Sequence, residues 1–167
     1  PFFQAAYAGT DTGPYRLLVS TLLSANTTDG VNDIRGNGGN DEIEGAVEPG
    51  GLSGRVYVDA NNNGIHEPGE IGIAGVSLTL TGTDDQGPIA ARTTQSLADG
   101  SYSFAGLRPG TYSVSEAQPS GYTDGLDAKN GVVIAGSNAS DTILGVQVAS
   151  GSMAELNTFG EIAMPTG

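Results

Sequence analysis

Twelve consecutive residues carry oxygen donors at a spacing suited to a hard cation: Asp59-Ala60-Asn61-Asn62-Asn63-Gly64-Ile65-His66-Glu67-Pro68-Gly69-Glu70. An acid stands at the first position, Asn at the third and fifth, Gly at the sixth and Glu at the twelfth, which is the pattern of a calcium loop. Calcium takes about six to eight oxygens at roughly 2.3–2.6 Å. Asp59, Asn61 and Asn63 supply side-chain oxygens from alternating positions of a tight turn, and Gly64 permits the bend. Ile65 is expected to offer its backbone carbonyl and to point its side chain back into the protein. Glu67 stands where a ligand often acts through water, and Glu70 closes the shell with two oxygens. Asn replaces acid at two positions, so the predicted affinity is modest, in the range of extracellular modules that work at millimolar calcium.

The flanks are not those of an EF-hand. Leu52-Ser53-Gly54-Arg55-Val56-Tyr57-Val58 alternates like a strand. Ile71-Gly72-Ile73-Ala74-Gly75-Val76 has too much Gly for a helix. The loop is therefore expected in a β context. Further along, Val76, Leu78 and Leu80 alternate with Ser77, Thr79 and Thr81 as a half-buried strand. A more polar strand, expected at an edge, covers Ile89 to Ser96. Tyr102 and Phe104 share a face, as do Tyr112, Val114 and Glu116. Gly131 to Ala135, Thr142 to Ala149 and Glu155 to Ile162 supply the last strands. Short strands joined by Gly-containing turns predict an all-β antiparallel sandwich.

Composition agrees. Of 167 residues, 27 are Gly, and Trp and Cys are absent, so no disulfide staples the fold. The net charge of −13, from 19 acids against six bases, argues against nucleic acid as a partner. It favours solubility, and a bound cation would relieve part of the self-repulsion. No stretch is long and apolar enough to span a membrane as a helix. The start at Pro1, without a signal sequence, fits a processed or excised piece of something longer.

The first 50 residues read differently from the rest. Residues 1–14 are Gly-, Ala- and Thr-rich and expected to be extended. Asp11-Thr12-Gly13 spells the aspartic-protease triplet, but that chemistry needs two carboxylates sharing a proton, and no second copy exists. Residues 15–23 form the most apolar run, a strand with both faces sticky; a nine-residue helix would be too short to stand alone. Residues 29–45 are acidic and rich in Gly and Asn. Gly36 to Gly45 resembles one calcium-binding β-roll repeat, preceded by a half-copy at Asn32 to Gly36, too little to bury a roll's core; an acidic linker is the other reading. Val47-Glu48-Pro49-Gly50 marks a boundary, giving an N-terminal segment over residues 1–50 and a sandwich over residues 51–167.

The sandwich region resembles the SdrD B-like branch of the collagen-adhesin B-type repeats of bacterial surface proteins, a transthyretin-like and immunoglobulin-like superfamily. The matching residues are Gly54-Arg55-Val56-Tyr57-Val58-Asp59 with its loop, and Gly69 through Val76. Further matches are Asp99-Gly100-Ser101-Tyr102-Ser103-Phe104, Leu107 through Glu116, Pro119 through Gly125, and Phe159-Gly160-Glu161. The resemblance spans residues 51–162 and implies a rigid, calcium-stabilised extracellular module that spaces or presents other domains. It implies the loop at Asp59 as the main calcium site, with Asp124 and Asp127 of the Asp124-Gly125-Leu126-Asp127 turn as candidates for additional sites and Asp84 and Asp85 as weaker ones. Ordinary Asx turns are the competing reading of those acids. Wider relatives carry a Lys–Asn isopeptide promoted by an acid. Glu116 and Asn157 match the acid and the amide, but the first strand offers Arg55 where a Lys is needed. Arg cannot be deprotonated to act as the nucleophile, and the one Lys, Lys129, lies in an acidic turn. No isopeptide is expected.

The reading is therefore a structural module of a surface fibre or adhesin, with calcium as its cofactor. Neighbouring copies of itself are possible partners, through strand addition by residues 15–23. A carbohydrate- or protein-binding module appended to a secreted enzyme is the alternative, weakened by the absence of Trp. An enzyme is not expected: the one His, His66, lies in the loop facing solvent, and no Cys or Ser–His–Asp set exists. Asn26 and Asn138 begin glycosylation triplets of a kind common by chance.

Overall fold

The computed structural model describes residues 47–165 and, before them, the backbone of two short strands, β1 (Arg16–Leu18) and β2 (Asp33–Arg35). The chain divides into two compact units, Pro1–Ala46 and Val47–Gly167. In the first, β1 and β2 pair antiparallel, with Leu17 opposite Ile34. The rest of the predicted strand at residues 15–23, the β-roll-like stretch beyond β2, and the Asp11 triplet lie outside the described residues.

The second unit is a sandwich of two sheets. One contains β3 (Gly50–Val58), β7 (Ser101–Leu107), β9 (Tyr122–Asp124), β10 (Ala128–Lys129), β11 (Val132–Val133) and β13 (Met153–Ala163). Its order is β11-β10-β13-β3-β7, with β9 also on β13. The other contains β4 (Ser77–Asp84), β5 (Gly87–Pro88), β6 (Arg92–Gln95), β8 (Gly110–Glu116) and β12 (Thr142–Val148). Here the order is β12-β8-β4-β5, and β6 also lies on β4. No helix of the described residues is long and apolar enough to cross a membrane.

Alternation builds the core. Leu78 and Leu80 of β4, Tyr102 and Phe104 of β7, and Tyr112 and Val114 of β8 are buried, while their neighbours in sequence are more exposed. With Leu52, Val56, Ile143, Val146 and Phe159 they form one apolar cluster between the sheets. The polar segment from Ile89 to Ser96 lies at an edge, as its composition predicts, but only Arg92–Gln95 of it forms a strand, β6; the short β5 precedes it. The strand predicted over Gly131–Ala135 shortens to Val132–Val133.

One ladder departs from the antiparallel expectation. β13 runs parallel to β3, from Met153 opposite Gly51 to Glu161 opposite Val58. Every other ladder among the described residues is antiparallel. Strand direction is set by long-range connections, which periodicity does not encode. The burial of β13 agrees with it. Asn157 through Glu161 are buried in succession, with no alternation, which is how a strand covered on both faces reads. A bulge interrupts β13 between Ala154 and Asn157, where Leu156 takes a φ of 58°.

Asn157 sits at the β3–β13 seam. The Tyr102 hydroxyl donates to its backbone carbonyl at 2.7 Å. Its side-chain amide donates to the carbonyls of Ala154 at 2.9 Å and Ser53 at 3.2 Å, and its Oδ1 accepts from the Asn130 backbone N–H at 3.3 Å. The amide is thus used as a backbone clip. Lys129 donates instead to the Leu144 carbonyl at 3.2 Å.

Two expectations follow from this seam. A methyl group at Gly54 would land on the Asn157 carbonyl. Gly54→Ala should therefore cost about 1–3 kcal/mol, the usual scale of overpacking, and an unchanged urea midpoint would refute the close approach. The intact mass should equal the sequence mass; loss of one ammonia, mapped to a Lys129–Asn157 linkage, would show the clip to be a crosslink.

Candidate functional site

β3 delivers the chain to Asp59, whose N–H donates to the Glu161 carbonyl of β13 at 2.8 Å. This bond anchors the loop to the sheet. The Asp59 side chain is fully buried, and its two oxygens accept from the backbone N–H groups of Asn63 at 3.1 Å and Gly64 at 2.7 Å. Asn61 Oδ1 accepts from Asn63 N–H at 3.2 Å, and Asn63 Oδ1 from Ile65 N–H at 2.8 Å. Glu70 returns across the loop, accepting from the N–H groups of Ala60 at 3.0 Å and Glu67 at 2.9 Å. The Glu67 carboxylate accepts from the side-chain amides of Asn61 at 2.8 Å and Asn63 at 3.1 Å. Five predicted ligand side chains are thus drawn into one hydrogen-bonded ring.

Asn62, which sequence reasoning passed over, docks the ring. It takes a φ of 52°, and its Oδ1 accepts from the Leu126 backbone N–H at 2.9 Å and the Asn138 amide at 3.3 Å. Its signal was a third Asn at a position the loop pattern leaves free, where a left-handed backbone favours Asn. Ile65 corrects an expectation: its side chain is 54% exposed. Gly64 occupies the inward position instead, with a φ of 73° and with Val133 and Leu126 crowding the place where a Cβ would lie. No room remains there for a larger side chain. His66 is exposed, as predicted, with its ring edge-on to Tyr57 at a centroid distance of 5.0 Å. Burial, followed by the charges of Asp59 and Glu70, raises the Tyr57 pKa.

Asp124 and Asp127 are placed outside the ring. Asp127 is buried after β9; burial pushes its pKa up to about 8 although the Gly160 N–H donates to it. Asp124, at the end of β9, meets Glu116 and Asp141: one oxygen of each lies within 4.8 Å of the others. Glu161, facing Asp124 across the β9–β13 ladder, lies against Glu116. Gln118 donates to Glu161 Oε2 at 2.5 Å. Burial first, then the neighbouring acids, raises the pKa of Glu116, as it does that of Asp124. The sequence held one clue to this cluster, since Glu116 shares the inward phase of Tyr112 and Val114. The other members are too far apart in the chain to be grouped by spacing.

The weaker pair is explained locally. Both Asp85 oxygens accept from Arg108, each at 2.6 Å. Asp84 Oδ1 accepts from the Gln86 N–H at 2.8 Å in an Asx turn.

Comparison with known proteins bears on the same residues. The SdrD B-like domain profile matches residues 50–157. Serine-aspartate repeat-containing protein F of Staphylococcus epidermidis is 43% identical over 72 residues, which is 43% of this chain and 4% of that protein. Serine-aspartate repeat-containing protein D of Staphylococcus aureus is 40% identical over 72 residues, 43% of this chain and 5% of that one. The chain thus spans about a twentieth of these relatives. Among solved structures, a minor pilin of Streptococcus agalactiae aligns with a TM-score of 0.46 at 18% identity, over 72% of this chain and 47% of its own. The shaft pilin SpaA of Lactobacillus rhamnosus GG aligns at 0.38 and 11% identity, over 72% and 53%. From Gly50 to Asn157, strands and loop alike, this chain belongs to the SdrD B-like domain family.

Proposed function

We propose that this chain is a calcium-stabilised structural module of a bacterial surface fibre or adhesin, working outside the cell. The family is one of non-enzymatic surface modules, and the observation that carries the finer reading is the ring of Asp59, Asn61, Asn63, Glu67 and Glu70. Its donor set is all oxygen, with no Cys and no His turned inward, which fits a hard cation. Calcium supplies a fixed positive charge to which these oxygens turn. Asp59 is held ready by two backbone N–H groups, and Glu70 by two more, so little ordering remains to be done on binding. The Asn61 and Asn63 amides now donate to Glu67. Exchange of those contacts for contacts to an ion is the local change that binding requires.

The alternative of a sugar-binding module is not favoured. Tyr57, Tyr102 and Tyr112 are buried in the core, so the tyrosines of the sandwich serve packing and do not form an open aromatic platform.

The assembly part of the reading rests on β1. Its pairing with β2 makes a two-stranded ladder, and such a ladder is marginal in water by itself. A sheet edge on a neighbouring copy would complete it, in the manner of strand addition.

The calcium reading predicts a higher melting temperature in calcium than in chelator. Binding to the native state alone contributes about 2.7 kcal/mol at a hundredfold excess over Kd. Asp59→Ala combined with Glu70→Gln should remove the loop's share of that gain, and equal melting temperatures for the parent protein in the two conditions would end the proposal. For assembly, deletion of residues 1–27 should leave a folded, calcium-responsive protein that no longer associates. A full-length protein that stays strictly monomeric at high concentration in calcium would remove this part.

A further inference from the structure

We propose that Glu116, Asp124 and Asp141, with Glu161 beside them, form a second cation site, separate from the loop and set between the two sheets, for a hard divalent ion of the calcium class. The four carboxylates come in pairs from opposite layers. Glu116 ends β8, and Asp141 precedes β12, with the Glu116 N–H donating to the Asp141 carbonyl at 2.9 Å. Asp124 ends β9 and faces Glu161 of β13.

Proximity of acids alone would not carry this inference. The independent observation is the Glu116 side chain itself. Glu116 is only 7% exposed, and neither of its carboxylate oxygens has a hydrogen-bond donor. Asp141 Oδ1 is likewise buried without a partner. Buried polar atoms in native proteins are satisfied in the great majority of cases, and an unpaired buried charge is strongly destabilising. What Glu116 does meet is Glu161, and Asp124 meets Asp141. Each contact sets acceptor against acceptor, so it requires a shared proton or a cation.

No cation of the chain supplies the missing charge among the described residues. Arg55 pairs with Asp99 and Arg108 with Asp85. Arg92 and Lys129 donate to the carbonyls of Ala105 and Leu144. Oxygen donors from four elements, irregularly disposed, suit calcium better than the stricter octahedral demand of magnesium. An ion held by Glu116 and Asp141 on one layer and by Asp124 and Glu161 on the other would clamp the sheets at one end of the core.

The test uses the full chain, stripped with chelator and titrated with calcium by calorimetry at neutral pH. The Asp59→Ala, Glu70→Gln protein, with its loop disabled, should still bind one calcium and melt higher in calcium than in chelator. Adding Glu116→Gln and Asp141→Asn should abolish both. On the intact loop, Glu116→Gln with Asp141→Asn should lower the stoichiometry by one ion and leave the loop's binding in place. In chelator, Glu116→Gln should melt no lower than the parent, because an amide in that place can donate to Glu161 without a shared proton; this shows that the variant folds. If the loop-disabled protein binds no calcium, or if the Glu116, Asp141 variant binds as many ions as the parent, protons alone hold the cluster and the second site is refuted. Failure of the loop alone leaves a different trace: the parent and the loop-disabled protein would then bind the same number of ions.

Discussion

Over Asn157–Glu161, strand β13 is hydrogen-bonded along both edges and covered on both faces, and the rest of the module is arranged around that constraint. β3 lies on one side of it, β9 and β10 on the other, and Phe159 points into the core. Every polar group on such a strand must find a partner within the protein. Asn157 does so by clipping the backbone carbonyls of Ser53 and Ala154, and the Asp59 N–H answers the Glu161 carbonyl. The Glu161 side chain finds Gln118 on one oxygen and another acid nearby. The loop ring and the acidic cluster are therefore neighbours through one residue, whose backbone serves the first and whose side chain serves the second.

The acidic balance of the chain takes on a local meaning in this setting. Nineteen acids against six bases is ordinary for a soluble surface if the charges are spread over it. Here Glu116, Asp127 and Glu161 are buried, and Asp124 and Asp141 are partly so. Burial of like charges opposes folding unless protons or an ion neutralise them. The side chains of the ring differ in kind, because Asp59 and Glu70 are each satisfied by backbone donors before any ion arrives. The ring is ordered by its own hydrogen bonds, while the cluster is ordered by the sheets around it.

What could be read from the sequence depended on how far the relevant residues lie apart. The loop was legible because its donors fall within twelve consecutive positions and each spacing has a geometric reason. The strands were legible because Leu78, Leu80, Tyr102 and Phe104 keep strict alternation. Ile65 was misplaced because the pattern says where a carbonyl must go and not which side chain the neighbouring β11 leaves room for. The parallel β3–β13 pair was not legible, since alternation is blind to strand direction. The cluster was half legible: Glu116 on an inward phase was visible, but its companions at Asp141 and Glu161 come together only through tertiary pairing.

The parallel pairing of the first and last long strands also decides how the module would carry tension. The chain comes in at Gly50, at the start of β3, and goes out at Ala163, at the far end of β13. Because the two strands lie side by side and point the same way, these points fall at opposite ends of the sheet. With nine residues in β3, at about 3.3 Å each, they are separated by roughly 30 Å. A pull between them runs along the strand axes and loads the rungs of the ladder together, in shear; an antiparallel pair with both ends on one side would peel open one rung at a time.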